Sequence, residues 1–399
     1  MARKAARGET GLHPLRIARL TRGLTLEQAA EGTELGVTTL KRLETGQVEG
    51  AHPHTIKQLA AFYRRSPAAL GLLLEHRTRR LNRSPQEAAA PARAPELTDH
   101  LRRVLAEFSS LDNLLGPGPL LTVVPAQLAA VEQLLSDASP EVRGELLDVA
   151  ARCAELAGWV HQDAGDLVTA DRWTARAVDY ALAGGDPRLV SYVLMRRSNI
   201  ASDGHDAGRA LALAQAALRD ADRLTPQLRA VALRQEAHAH ALRHDAPASA
   251  RALDHAMGEL LGSGDGEPEF DLTAYCTPGY VGMEAAACWI QLGEPERAIA
   301  TFERRLSAWP AGYKRDLGLC LARLALAHAA HRDLEQAEAV GLQAVAVVRE
   351  TRSARSLREL ARLEALLARW DGAPETTELR RALQGVTLPT LAAGGSPWS

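Results

Sequence analysis

Five small residues, Ala170, Ala210, Ala250, Ala298 and Ala337, fall in register along the chain at separations of 40, 40, 48 and 39. A second small residue follows seven positions later at Ala177, Ala217 and Ala344, while Met257 and Arg305 break that rule. Turn sequences precede the register points at Gly165-Asp166, His244-Asp245, Gly293-Glu294 and Arg332-Asp333. A small residue is needed where two helix axes cross closely, because a larger side chain would wedge them apart. The fullest copy runs Leu292-Gly293-Glu294-Pro295-Glu296-Arg297-Ala298-Ile299-Ala300-Thr301-Phe302 and ends near Pro310. Such a period favours stacked helical pairs, each burying its apolar face against its neighbours, over an irregular helical bundle.

The rest of the composition agrees with helices. Aromatic residues make up only 4% of the 399, and Ala, Leu and Arg are abundant, so an all-α chain is expected. The length exceeds one compact core and calls for at least two domains. No run approaches the 18 to 20 apolar residues of a membrane span, and no apolar signal core follows the first basic residues. Cys153, Cys276, Cys288 and Cys320 show no C-x-x-C spacing. They read as reduced thiols of a cytoplasmic protein, neither a disulfide frame nor a zinc site.

Ahead of the repeats, Leu12 to Leu70 reads as a small helical unit. Pro14 supplies a first-turn residue for a helix through Leu15, Ala18 and Leu20 to Arg22, ended by Gly23. Thr25 offers an N-cap oxygen with Gln28 three residues on, a capping box that starts a second helix. That helix is short, because Gly32, Thr33 and Gly36 crowd the next turn. From Val37 a compact helix turns Leu40 and Leu43 inward, leaves Thr38, Thr39, Lys41 and Arg42 outside, and stops at Gly46. A fourth helix, from about His54 to Arg65, buries Ile56, Leu59, Ala60 and Tyr63. A short fifth around Pro67 to Leu74 closes the bundle. Residues 1–84 carry 15 Lys and Arg against 7 Asp and Glu, leaving 32 basic and 42 acidic residues for the remainder. A basic head on an acidic body is the electrostatic footprint of a phosphate-binding surface.

The run Arg19-Leu20-Thr21-Arg22-Gly23-Leu24-Thr25, followed by Leu40-Lys41-Arg42-Leu43-Glu44-Thr45-Gly46, resembles the phage-repressor and Cro-type (Xre) helix-turn-helix. The resemblance implies a five-helix DNA-binding domain over residues 1–75 whose second motif helix enters the major groove. It implies that Val37, Thr38 and Arg42 face bases, that Thr39 and Lys41 lie nearer phosphates, and that Thr25 belongs with the DNA-facing residues. It also pairs Arg19 with Glu44, tying the first helix to the recognition helix. Two positions depart from the family. Leu26 stands where many phage repressors place a phosphate-binding Gln. Glu34 occupies the turn position usually held by Gly, so the left-handed residue either stays there or moves to Gly36, shifting the base-facing positions by one or two. Arg3, Lys4 and Arg7 precede the domain as either a minor-groove arm or a solubilising terminus.

Residues 76–98, with three prolines and an alanine run, read as a linker. The body over 99–390 resembles tetratricopeptide repeats with a period longer than the usual length of about 34. Head and body together resemble Xre regulators of high-GC actinobacteria, through Gly158-Trp159-Val160-His161-Gln162-Asp163-Ala164-Gly165-Asp166, Trp173 and Tyr192-Val193-Leu194-Met195-Arg196-Arg197-Ser198-Asn199. The architecture is similar to the peptide-pheromone sensors of Gram-positive bacteria, which implies a homodimer and a concave surface for a small peptide or a protein partner. In such a solenoid Trp159, Gln162, Arg196, Asn199, Gln235 and His238 come from successive first helices of the pairs. They suit an extended peptide or, equally, form a structural network between repeats, and Asp163 is placed to cap a neighbouring helix.

His238, His240 and His244 do not share one helix face, so no metal is expected. No H-E-x-x-H, G-x-S-x-G or P-loop occurs, and neither a cofactor nor catalysis is expected. The sequence points to a transcription regulator binding double-stranded DNA at two half-sites as a homodimer, with no membrane association. The alternative is a repeat scaffold that grips a protein partner.

Overall fold

The computed structural model describes residues 13–45, 53–63, 70, 94–262, 270–307, 309–310, 312–370 and 373–386. These residues are all-helical, with no strand among them. They divide between two compact units at residues 89 and 90. No described helix is long and apolar enough to cross a membrane.

The N-terminal unit holds α1 (Pro14–Thr21), α2 (Leu26–Gly32), α3 (Val37–Glu44) and α4 (Pro53–Tyr63). Its core is Leu15, Ala18, Ala29, Ala30, Leu40, Leu43, Ile56, Leu59, Tyr63 and Leu70. Leu20 of α1 is 48% exposed: it follows Arg19, and only one of the two can face α3. Gly32 lets α2 approach α4, since a Cβ there would lie 2.4 Å from the Phe62 ring. The fifth helix expected over Pro67 to Leu74 lies outside the described residues except for Leu70, which is buried.

The second unit begins with α5 (Ala94–Leu115), so helix already occupies the last five positions expected of the linker. α6 (Leu120–Ser136), α7 (Pro140–Asp163), α8 (Leu167–Gly184), α9 (Pro187–Asp203) and α10 (Ala207–Ala217) follow. Then come α11 (Pro226–Leu242), α12 (Ala246–Gly262), α13 (Pro278–Leu292) and α14 (Pro295–Leu306). The described chain ends with α15 (Lys314–Ala330), α16 (Leu334–Thr351), α17 (Ala354–Leu367) and α18 (Thr377–Gln384).

One turn chemistry builds the helix pairs of this body. α7, α9, α11, α13 and α15 each end in a left-handed residue: Gly165, His205, His244, Gly293 and Arg332. The amide after each one donates back five residues, as from Asp166 to His161 at 2.9 Å and from Asp333 to His328 at 3.0 Å. Those bonds satisfy carbonyls that a helix end leaves open. The residue that closes one helix then opens the next: Asp166, Asp206, Asp245 and Asp333 accept amide hydrogen bonds at the N-termini of α8, α10, α12 and α16. Four residues after each turn acid lies the close crossing. There Ala170, Ala210, Ser249, Ala298 and Ala337 are all fully buried.

Ala250 is therefore not the register point, and it faces solvent. Ser249 takes the place and moves the next small position from Met257 to the buried Ala256, which restores the rule there. Arg305 still departs from it.

The first helices of the pairs stack in order, α7 on α9, then α11, α13 and α15, with α17 continuing the series and returning to touch α7. Across this closure Ser353 Oγ donates to Asp163 Oδ1 at 2.7 Å and Arg358 Nη2 to Asp203 Oδ2 at 2.8 Å. Arg315 of α15 pairs with Asp112 of α5. Gly116, with φ +77°, lies so close that a Cβ would sit 1.7 Å from the Thr351 carbonyl oxygen.

Candidate nucleic-acid interface

α3 is set by a short turn from α2. The capping box at the start of α2 is complete: Gln28 N donates to Thr25 Oγ1 at 3.2 Å and Thr25 N to Gln28 Oε1 at 2.9 Å. The end of α2 closes through Glu34 at φ +55°, with Leu35 N donating to Ala30 O at 3.0 Å. Gly36, the other candidate for the left-handed position, has φ −64° and serves as the N-cap of α3. The turn thus keeps the family's position and makes Val37 the first residue of the helix.

Leu40, Leu43 and Glu44 face inward from α3, while Val37, Thr38, Thr39, Lys41 and Arg42 face out. The Lys41 and Arg42 side chains make no hydrogen bond or ion pair with another described residue. Both stand in the last turn, where cations offset the partial negative charge of the helix C-terminus. The result is one open face carrying an apolar group, two hydroxyls and two cations.

Behind that face, Arg19 of α1 holds α3. Its Nε and Nη2 donate to the two Glu44 carboxylate oxygens at 2.7 and 2.9 Å, and its Nη1 donates to the Leu24 carbonyl at 2.8 Å. The hydrogen bond to Glu44 raises the Arg19 pKa further. A buried bidentate pair of this kind fixes geometry more than it adds stability.

Some of the expected site residues are otherwise engaged. Thr25 is exposed, but its hydroxyl oxygen serves the capping box. Leu26 leans on the core of the unit instead of standing at the surface as a phosphate ligand. Arg3, Lys4 and Arg7 lie outside the described residues.

Two positioning contacts escaped the sequence. His13 Nδ1 accepts from Leu15 N at 3.2 Å and caps α1, and burial lowers its pKa, keeping that lone pair available. Arg22 donates to the Phe62 and Tyr63 carbonyls at 2.6 and 3.0 Å and lies over both rings, tying the end of α4 to α1. The Arg22 contact has no local sequence signal, because its partners are backbone atoms some forty residues away.

In the body, most residues expected to line a peptide groove bind one another. Arg196 donates to Glu155 at 2.8 Å, to Asn199 Oδ1 at 3.0 Å and to Gln162 Oε1 at 2.9 Å. Gln162 Nε2 donates to Asn199 Oδ1 at 2.8 Å and Asp203 Oδ2 at 2.7 Å, and Gln235 Nε2 to Ser202 Oγ at 2.9 Å. Gln162 and Gln235 are completely buried. Trp159 Nε1 donates to Asp112 Oδ2 at 2.7 Å, and its ring is met by the guanidinium groups of Arg196, Arg315 and Arg355. His238 makes none of these bonds, and burial lowers its pKa to about 4. Asp163 does assist a helix cap, through the N-cap residue Ser353. Of the two readings of these residues, the bonds form the inter-repeat network.

All four cysteines are buried and unpaired. Burial pushes the thiols of Cys153, Cys276 and Cys288 up to about 12, so none is a ready nucleophile near neutral pH. No cluster of metal-ligating side chains occurs among the described residues.

Comparison with curated proteins gives no match for this chain. Residues 13–73 match a family model described as a helix-turn-helix domain. The N-terminal unit, with α3 open behind its turn, is therefore a helix-turn-helix DNA-binding domain.

Proposed function

We propose that this protein is a sequence-specific transcription regulator of the cytoplasm that binds double-stranded DNA as a homodimer and performs no catalysis. In this reading, residues 1–75 form an Xre/Cro-type reader, 76–98 connect it, and 99–390 are a tetratricopeptide-like body that takes a regulatory ligand or partner. The observation that carries it is the open face of α3, where Thr38, Lys41 and Arg42 stand outward while the Arg19–Glu44 pair locks the helix from behind. Arg42 has the planar donor fork that suits guanine O6 and N7, Thr38 suits either base type, and Val37 suits a thymine methyl. Thr39, Lys41, Thr25 and the basic residues Arg3 and Lys4 are left to the phosphates, which set register. One reader offers few base contacts, and a two-fold pair doubles them across half-sites one helical turn apart.

The test is genome-wide capture of DNA bound to the full chain, followed by gel retardation of the recovered fragments. The reading expects enriched sites with two-fold symmetry and an affinity that falls steeply with salt. A chain lacking residues 1–84 should not retard them. Absence of enriched sites, or retardation that survives the truncation, contradicts the proposal.

A further inference from the structure

Among the described residues eleven large apolar side chains are strongly exposed, and five of them, Leu97, Leu114, Leu115, Val123 and Leu134, belong to α5 and α6. These two helices run in opposite directions along α7. Arg102 of α5 donates to Glu145 and Asp148 in the first half of α7, and Trp159 near its end donates to Asp112. α6 runs the other way, since Arg143 at the start of α7 reaches back to the Leu135 carbonyl. Leu97 and Leu134 thus stand toward one end of α7, and Leu114, Leu115 and Val123 toward the other.

α6 is the first outer helix of the stack and packs chiefly on α7. Leu120, Val124, Leu128, Val131 and Leu135 form its buried side. Val123, Ala126, Ala130 and Leu134 recur at three- and four-residue spacings and so share one row, with Thr122, Ala129 and Gln133 beside it. All seven are exposed, and none is charged. The one ionisable residue of α6, Glu132, is taken by Arg176 and Tyr180 of α8. The later outer helices differ: α8, α10, α12, α14 and α16 expose Arg172, Arg209, Asp254, Glu303 and Glu335. A terminal unit of a solenoid ordinarily turns a polar outer face to water. Here the first outer helix turns an apolar one, and such a surface marks a place that something covers.

We infer that this face of α6 docks against the same face of a second copy of the chain about a two-fold axis. The inference rests on the reading that the protein acts as a homodimer, and it places the contact. Charge selects the occupant. Beyond residue 84 the chain holds 42 acidic against 32 basic residues, so two bodies repel over most of their surface. A two-fold contact sets like against like, and on the uncharged α6 face two copies meet without that penalty. A partner recognised by its charge would find nothing there to pair with. The size of the face sets the strength. α6 has 17 residues, which makes its face about 25 Å long and at most about 12 Å wide. That falls well short of the roughly 800 Å² per partner of a standard interface. Even with the α5 leucines added, it supports a reversible dimer with a dissociation constant on the order of micromolar, not an obligate one.

The test is sedimentation of the full-length protein over about 1–100 μM, with the melting temperature as the check on folding. Expected is a concentration-dependent exchange between monomer and dimer. Ala130→Glu, in the middle of the row, should weaken association about tenfold or more by bringing like charges together. Val123→Lys serves if that variant fails to fold. Leu261→Glu, at an exposed apolar position of α12, should leave association unchanged. A wild type that stays monomeric throughout, whether a segment of its own chain or a different protein covers α6, overturns the inference. So does a folded Ala130→Glu that associates like wild type, or a Leu261→Glu weakened as much. Retardation of a two-half-site operator by the same proteins separates the two readings. A monomeric Ala130→Glu that holds the operator as tightly as wild type contradicts the dimeric regulator and leaves the interface standing. A wild type that is monomeric in solution yet fills both half-sites cooperatively overturns the interface and leaves the regulator standing.

Discussion

Glu34 holds a left-handed backbone at φ +55° in the turn that aims α3. That conformation costs a residue with a Cβ about 1–2 kcal/mol, and a glycine relieves it while adding freedom to the unfolded chain. Glu34→Gly should therefore stabilise the reader by roughly 0.5–1 kcal/mol, seen as a higher midpoint in its denaturation curve. A loss of stability would mean that the Glu34 side chain has a stabilising role the turn geometry does not explain. The Arg19–Glu44 pair works the other way. Arg19→Ala leaves the Glu44 carboxylate, only 4% exposed, without its partner and should cost about 3–5 kcal/mol. Replacing both residues with Met should recover most of the loss, measured in the same denaturation series.

Asp163 gives the body a pH signature. Burial raises its carboxyl to about 6, only partly offset by Arg355 and by the Ser353 hydroxyl, with Asp316 and Asp203 adding to the rise. A folded pKa above the unfolded value means the folded state binds the proton more tightly. The resulting stability is full below the unfolded pKa near 4 and is lost as pH rises through about 6. Asp163→Asn should remove this dependence, so wild type should lose on the order of 1–3 kcal/mol relative to the variant between pH 4 and 7. Parallel stability curves for the two proteins would contradict the raised carboxyl. At this scale the capping box at Thr25 and Gln28 was legible from a local spacing with a known geometry, whereas the Arg19–Glu44 pair followed only from the family resemblance. The sequence did not show that Gln162, Arg196, Asn199 and Gln235 bond one another. Their partners come from separate helices, and side-chain type alone does not choose between a ligand and a neighbour.

At the scale of elements, the helix pairs were legible because the requirement is local: a left-handed stop, an acid that caps the next helix, and a small residue one turn later. His205-Asp206 meets the same pattern, with the same dipeptide as His244-Asp245, and was missed. The Ala250 register point was wrong by one because serine fits the crossing as well as alanine, and only burial distinguishes Ser249 from its neighbour. The return of α17 to α7 has no sequence signal, being the sum of small rotations between successive pairs. Its tightest contact supplies a test. Gly116→Ala would force a Cβ against the Thr351 carbonyl in a left-handed backbone and should cost about 3 kcal/mol or more. Gly118→Ala meets nothing within 4 Å and should stay within about 0.5 kcal/mol. Thermal melts of the two variants side by side check the contact, and equal melting temperatures would contradict it.

At the scale of the molecule, the chain joins a basic helix-turn-helix unit and an acidic helical body, each with its own core. The charge division was legible from composition. The central claim is narrower: the outward face of α3 reads DNA sequence. Its most direct measurement is the affinity of wild type and Arg42→Ala for a captured operator and for random DNA of equal length, at two salt concentrations. The account predicts a loss of about 1–3 kcal/mol on the operator, little loss on random DNA, and a retained salt dependence. Equal losses on the two DNAs, or none on either, would contradict it.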